Sequence, residues 1–291
     1  MTETVQNSIS FSVDAGLIDR LGRELVGKAE TAVSELVKNA YDADAKNVEV
    51  NFINSLWSGG TLKIIDDGLG MTYDQLKLGF MTISSSDKVH NPLSKRFGRN
   101  RAGKKGIGRF ATQRLGKKLI IITQTLETEQ ALKVTVNWDE YKIDQDITSI
   151  VNQIEYLPKQ KPEGTTLIIE NLREGWTEAS IKRIYRYVSD LFQPDYLSEN
   201  SKELQLAKQN DESFKVKFSQ LNDGKQYEIA SPQKMLFDKN IAVIEGFVDS
   251  VGDGFVGIKS DRLELDDYAI PIVKPNEAKI RSIPSSSIAS L

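Results

Sequence analysis

ELVKNAYDADAKNVEV, residues Glu35 to Val50, passes from a helical pattern into a strand pattern. Ala32, Leu36 and Ala40, with Val33 and Val37 beside them, recur at spacings of three and four, which predicts a helix over Ala29–Tyr41 with that face turned inward. Glu35, Asn39 and Asp42 share a second face, again at spacings of four and three. Such a stripe reads as solvated polarity or as a set of ligand groups, and the rest of the chain has to decide. NVEVNF then alternates as a strand, WSGG supplies a turn, and TLKIID reads as a second strand with Asp66 at its end.

Further along, SSSDKVHNPLSKRFGRNRAGKKGIGRF is too basic and glycine-rich for a packed element and too long for a simple connection, so a mobile lid is expected over about residues 82–108. A helix is expected from Gly108 to Leu115, then strands at KLIIIT, ALKVTVNW and TTLIIENL. TEASIKRIYRYVSDLF reads as the closing helix of a first, mixed α/β domain, with Thr177 as N-cap. The expected division is 1–195 and 196–291, the second part a polar linker and a β-rich region that reads as cut inside a larger protein.

Composition narrows the classes. A net charge of -3 and a pI near 5.5 give no global attraction to nucleic acid or anionic membrane. The absence of cysteine excludes disulfides and the usual zinc clusters. The start, MTETVQNSIS, lacks the basic and apolar regions of a signal peptide, and no apolar run reaches the roughly 20 residues of a membrane span. A soluble cytoplasmic protein without a membrane partner is the expectation. The single histidine, His90, lies in a polar stretch and reads as an ordinary surface residue.

Two glycine motifs carry chemistry. DDGLGM, residues 66–71, is either a plain turn with a capping carboxylate or a ligand loop. In GKKGIGRFAT, Gly103, Gly106 and Gly108 free the backbone to approach a ligand and lead into a helix N-terminus, while Lys104, Lys105 and Arg109 add positive charge. This reads as a phosphate cradle. It lacks the order of a P-loop, and no dinucleotide-binding fingerprint follows the first strand.

Taken in order, E-x-x-x-N-x-x-D on a helix, D-x-G-x-G at a strand end, a basic lid with G-x-G, and GTT at Gly164–Thr166 resemble the GHKL superfamily of ATPases. That superfamily includes gyrase B subunits, ninety-kilodalton heat-shock chaperones, sensor histidine kinases and MutL-type proteins. The resemblance covers roughly residues 8–192, and ELVKNAYDADA and KGIGRFA look most like the chaperone-like and Morc-like branch. It implies a Bergerat-type α/β (α+β) two-layer sandwich, a mixed sheet covered on one face by helices, followed by the β-rich region.

It also implies roles for ATP and Mg²⁺. Asn39 would offer its amide oxygen to Mg²⁺, and Glu35, one turn earlier, would orient or deprotonate the attacking water. Asp66 would accept a hydrogen bond from the adenine amino group, with Gly68 in the same loop, Gly70 leaving room beside the ring and Met71 against its face. Thr165 would support that network through its hydroxyl, and Asp42 would order the pocket. Gly103, Lys104, Lys105, Gly106, Ile107, Gly108, Arg109 and Phe110 would hold the triphosphate, and Lys88 has a lysine counterpart in some Morc-like relatives.

For Asp44 and Asp67 the expectation is local hydrogen bonding and surface charge. Lys95, Arg96, Arg99 and Arg101 exceed what one nucleotide needs; they either meet nucleic acid or a second subunit, or they are solvated. A basic residue from the following region completes the site in gyrase-like and chaperone-like relatives, and Lys215 and Lys274 are candidates here. The resemblance implies slow hydrolysis that drives lid closure and nucleotide-dependent homodimerisation of a clamp, with ISFSVDAGLIDRLG as an exchanged or strap element and a DNA or protein client. The alternatives are a non-hydrolysing nucleotide sensor and a histidine kinase catalytic domain acting on a partner; the only phosphoacceptor within the chain would be His90, with Pro92 close behind.

Overall fold

Helix α2, Ala29–Asp42, buries Ala32, Val33, Leu36, Val37 and Ala40, the face marked by the three-and-four spacing. It ends in a Schellman-type turn in which Ala45 N–H donates to Ala40 O and Asp44 N–H to Tyr41 O, both at 3.1 Å. The left-handed position of that turn, usually glycine, is Asp44, with φ 61°. A computed structural model provides this description, which covers residues 12–82, 91–102, 108–188, 191, 214–231, 243–248, 253–260 and 265–272.

The chain divides into two compact units, residues 1–232 and 233–291. In the first, α1 (Leu17–Leu25) and α2 precede β1 (Asn47–Ile53) and β2 (Thr61–Asp66). A short α3 (Tyr73–Gln75), capped by Thr72, continues into a π-helical segment, Leu76–Met81. Then come α4 (Gly108–Leu115), β3 (Gly116–Gln124), β4 (Gln130–Asn137), β5 (Ile154–Pro158), β6 (Gly164–Leu172) and α5 (Glu178–Val188). Thr177 caps α5 as its sequence implied, its hydroxyl accepting from Ser180 N–H at 3.2 Å.

β7 (Lys215–Asn222) and β8 (Lys225–Ala230) complete an eight-stranded sheet in the order β5-β4-β3-β6-β2-β1-β7-β8. β7 pairs parallel with β1, Val50 opposite Phe218, while the other neighbours are antiparallel. These two strands therefore belong to the first unit. The boundary expected at 195/196 falls ahead of the division at 232/233, because β7 pairs with β1 and supplies a buried Val216 and Phe218 to the first core.

Alternation along the inner strands shows how the layers lie. Val48, Val50 and Phe52 on β1, Leu62 and Ile64 on β2, and Leu119 and Ile121 on β3 are buried, whereas the residues between them are more open. One face of the sheet thus carries the core. α2 packs against both α4 and α5, and the helices cover the sheet to give a mixed α/β arrangement of two layers. The N-terminal segment docks on its own chain: Ala15 N–H donates to Gln145 O at 2.7 Å, and the Asp14 carboxylate accepts from Gly16 and Asp144 N–H, each at 2.7 Å.

The second unit contains β9 (Val243–Val248), β10 (Gly254–Ser260) and β11 (Leu265–Ile272), an antiparallel sheet with β10 in the middle. No helix among the described residues is long and apolar enough to cross a membrane.

Candidate functional site

Asp66 ends β2 and is only 8% exposed. Its Oδ1 accepts from Gly68 N–H at 3.0 Å and from Thr165 N–H at 3.1 Å. Oδ2 has no hydrogen-bond partner among the described residues. Burial pushes the carboxyl above the ordinary aspartate range, against the pull of Lys161 and the two backbone donors; Asp67 adds to the rise. A buried acid with one saturated oxygen and one spare suits an incoming N–H donor.

The loop after Asp66 is wedged between the end of α2 and β3. Leu69 N–H donates to Ala43 O at the end of α2 (2.9 Å), and Met71 N–H to Thr123 Oγ1 on β3 (2.8 Å). Gly70 has φ +67°, and a Cβ there would lie 1.9 Å from the Gln124 carbonyl oxygen. That glycine is required by the protein's own strand, a reason different from the room for a ring that the resemblance implied. Thr165 also differs in detail: its backbone N–H serves Asp66, and its hydroxyl lies 3.1 Å from Thr123 Oγ1.

On α2, Glu35 and Asn39 are half-buried, one turn apart, and Asp42 is buried. Glu35 Oε1 accepts from Lys38 Nζ at 2.9 Å. Asn39 offers a neutral amide oxygen, which fits a Mg²⁺ ion that takes its remaining oxygens from phosphates and water rather than from a protein cage. Among the described residues no group of three or more acids or histidines is assembled to hold an ion.

The C-terminal end of α2 grips the basic stretch. Asp42 Oδ1 accepts from Ala102 N–H at 2.6 Å. Asp44, 1% exposed, accepts from Ser94 Oγ (2.5 Å) and Phe97 N–H (3.2 Å) at Oδ1 and from Arg96 N–H (2.7 Å) at Oδ2. The expectation of surface charge at Asp44 is thereby corrected: the carboxylate is buried and its bonds span some fifty residues. Asp67 is not local either: it accepts from Lys46 and Asn47 N–H at 2.7 and 2.8 Å, about twenty residues away in sequence.

Among the extra cations of the basic stretch, solvation is corrected for Arg99, whereas Arg96 stays exposed. Arg99 is 5% exposed, donates to Ala45 O at 2.6 Å and lies 4.7 Å from the ring centres of Tyr41 and Phe97. Arg96 makes two 2.9 Å bonds to Glu163, and Arg101 donates to Asn91 O at 3.1 Å. Lys95 is exposed. Phe110 is buried in α4, where Gly108 and Arg109 form the first turn. Lys88, Gly103, Lys104, Lys105, Gly106 and Ile107 lie outside the described residues, as does Lys274; Lys215 is exposed at the start of β7.

Sequence reasoning missed Lys161, Thr123 and Ser94. The lysine precedes Gly164 in KPEGTT, a position with no periodic or motif signal, and only the fold carries its ammonium to Asp66. A cavity of about 930 Å³, lined by Asp14, Leu17, Gln113, Trp138, Tyr141 and Arg173, lies at the docked N-terminal segment. None of the groups from α2 or the Asp66 loop lines it, so it is a different place from the candidate site.

A mixed sheet with helices on one face, an acid with a spare oxygen at an inner strand end, and a Glu-Asn-Asp stripe on the adjoining helix stand together in the first unit. Residues 27–166 match the family described as histidine kinase-, DNA gyrase B-, and HSP90-like ATPase. The chain is 34% identical over 121 residues to ATPase morc-1 of Caenorhabditis elegans, covering 42% of this chain and 13% of that protein. It is 27% identical over 169 residues to the DNA mismatch repair protein MutL of Buchnera aphidicola, covering 58% and 25%. With the chaperone protein HtpG of Oceanobacillus iheyensis it shares 26% identity over 117 residues, 38% and 19% of the two chains. The chain thus spans a quarter or less of these relatives' length, and its residues 27–166 belong to the GHKL superfamily.

Proposed function

We propose that this chain binds ATP with Mg²⁺ and hydrolyses it slowly, using the cycle to close a lid and bring two copies together. The observation that supports the reading most is Asp66: a buried carboxylate with one oxygen fixed by Gly68 and Thr165 and the other without a partner among the described residues, at the foot of the helix that carries Glu35 and Asn39. Its spare oxygen accepts the exocyclic amino group of adenine. Asn39 holds Mg²⁺, which would neutralise phosphate charge. Glu35 takes the proton of the attacking water, and for this it has to leave Lys38, an exchange cheap for a partly exposed pair.

The family match covers ATPases and kinases together, and the relatives named above include a mismatch repair protein and a chaperone, so the load of this motor is an open choice. A DNA client draws support from the mismatch-repair relative. It draws less from the lid, where Arg96, Arg99 and Arg101 are engaged within the chain.

γ-Labelled ATP, incubated with the wild type and with Glu35→Ala matched for nucleotide binding, tests the reaction. The expected result is free phosphate from the wild type and a fall of about 10²- to 10⁴-fold in the variant. Label that stays on bound ATP in both proteins would replace hydrolysis by nucleotide sensing, and label on protein would favour a kinase. A doubled mass in saturating non-hydrolysable analogue is expected if the clamp closes, and an unchanged monomer mass would refute the dimer.

A further inference from the structure

Lys161 has no place in the roles assigned so far, yet its ammonium is inserted behind the base-recognition loop. Nζ donates to the Asp66 carbonyl oxygen and, at 3.2 Å, to the Thr165 carbonyl oxygen. The Asp66 carboxylate in turn accepts from Thr165 N–H. The end of β2 and the start of β6 are thus tied both through the backbone and through the carboxylate. Gly164 makes this possible: its φ is +116°, and a Cβ there would lie 2.2 Å from Asp66 O and 2.9 Å from Lys161 Nζ.

We propose that Lys161 is a positioning residue for nucleotide-base specificity, clamping Asp66 and Thr165 together and supplying the positive charge that keeps Asp66 Oδ2 an ionised acceptor for an exocyclic amino group. The proposal rests on the ATP reading above. The charges around the pair are few. Asp67 faces Asp66 and opposes its ionisation, while Lys63 and Glu49 flank the ammonium with opposite signs. Asp67 is already held by Lys46 and Asn47, leaving Lys161 as the cation that favours ionised Asp66. Burial in turn pulls the Lys161 ammonium below the ordinary lysine range, opposed by Asp66, so each group sustains the charge of the other.

The test compares binding of non-hydrolysable analogues of ATP and of inosine triphosphate, which carries an oxygen in place of the amino group, from pH 5 to 9. Wild type, Lys161→Met and Lys161→Arg are measured. Wild type is expected to prefer the adenine analogue and to lose that preference as pH falls and Asp66 is protonated. Lys161→Met should weaken the adenine analogue about tenfold, leave the inosine analogue nearly unchanged, and move the pH of the loss upward by about one unit or more. Lys161→Arg should restore the wild-type profile.

An unshifted profile in Lys161→Met, or equal weakening of both analogues, would overturn the proposal and leave the lysine a structural clip. A wild type that binds neither analogue, or binds both equally, would overturn the ATP reading and this inference with it.

Discussion

Asp44 and Asp66 are both buried carboxylates, 1% and 8% exposed, at the same end of the α2–β1–β2 unit, Asp44 in the α2–β1 turn and Asp66 at the end of β2 opposite Val48, and they use their oxygens differently. Asp44 commits both: Ser94 Oγ and Phe97 N–H to Oδ1, Arg96 N–H to Oδ2. Asp66 places two donors on Oδ1, and Oδ2 is without a partner among the described residues. Burial therefore does not separate a ligand group from a structural one; unspent hydrogen-bonding capacity does. One aspartate holds the chain to itself with both oxygens, and the other keeps one oxygen unspent among the described residues.

The largest effect should come from breaking the structural member. Asp44→Ala leaves Ser94 Oγ and the Arg96 and Phe97 amides without their acceptor, and unsatisfied buried groups cost about 1 to 3 kcal/mol each. Since two of the three donors are only partly buried, a total loss of about 3 kcal/mol is expected in urea denaturation. Hydrogen exchange at Arg96 and Phe97 should accelerate beyond the global change. A loss under about 1 kcal/mol, the size of a single ordinary hydrogen bond, would mean that Asp44 anchors nothing.

Asp66→Asn should reverse the pattern, losing ligand while sparing the fold. Asn keeps an oxygen for Gly68 and Thr165 but presents an amide donor to the adenine amino group, so affinity for ATP should fall by about 2 kcal/mol, the worth of a charged hydrogen bond. The sign of the stability effect follows from the raised carboxyl. A group whose folded pKa lies above its unfolded value binds more protons in the native state, so its contribution is present at low pH and is lost as pH rises through the folded pKa. Asp66→Asn should accordingly melt higher than wild type at pH 8, with the gain shrinking as pH falls into the range where Asp66 is protonated. A variant that melts lower at pH 8 would show that Asp66, like Asp44, is chiefly structural.

The same pair marks what the sequence could disclose. Asp66 is legible because its neighbours are local: a strand that alternates up to it, then glycines at 68 and 70. The helix carrying Glu35, Asn39 and Asp42 is legible for the same reason, since spacings of three and four report a face whatever packs on it. Asp44 acquires its meaning from residues 94–97, which no local pattern links to it. β7 is silent in the same way: its strand is evident, but its parallel pairing with β1 crosses more than 150 residues of sequence. Lys161 carries no signal in the sequence, and Arg99 reads there as a solvated or partner-facing cation, because composition cannot foresee a carbonyl or an aromatic ring brought up by the fold.

Arg99 gives a smaller but sharper test of the Asp44 side. Its guanidinium both caps the end of α2 through Ala45 O and lies over Tyr41 and Phe97. Arg99→Lys keeps the charge and loses the planar stack and the fork of donors, so a cost of about 1 to 2 kcal/mol is expected in thermal or urea unfolding. An exposed lysine-like charge would give no such loss.

The smallest effect belongs to Lys95, and it bears on the client. Each phosphate neutralised by a basic residue contributes close to one unit to the salt dependence of DNA binding. Of the four cations beyond those proposed for the nucleotide, Arg96, Arg99 and Arg101 are already bonded within the chain, and Lys95 is exposed without an ion pair among the described residues. If the chain binds duplex DNA, Lys95→Ala should lower the salt slope by about one and leave stability within about 0.5 kcal/mol. Arg99→Lys should lower stability while leaving that slope unchanged. A drop of three or more in the slope on replacing Arg96, Arg99 and Arg101 together, with the fold retained, would mean that these arginines exchange their internal partners for phosphate, and the stretch from 94 to 102 would then be part of the client's surface rather than a brace on α2.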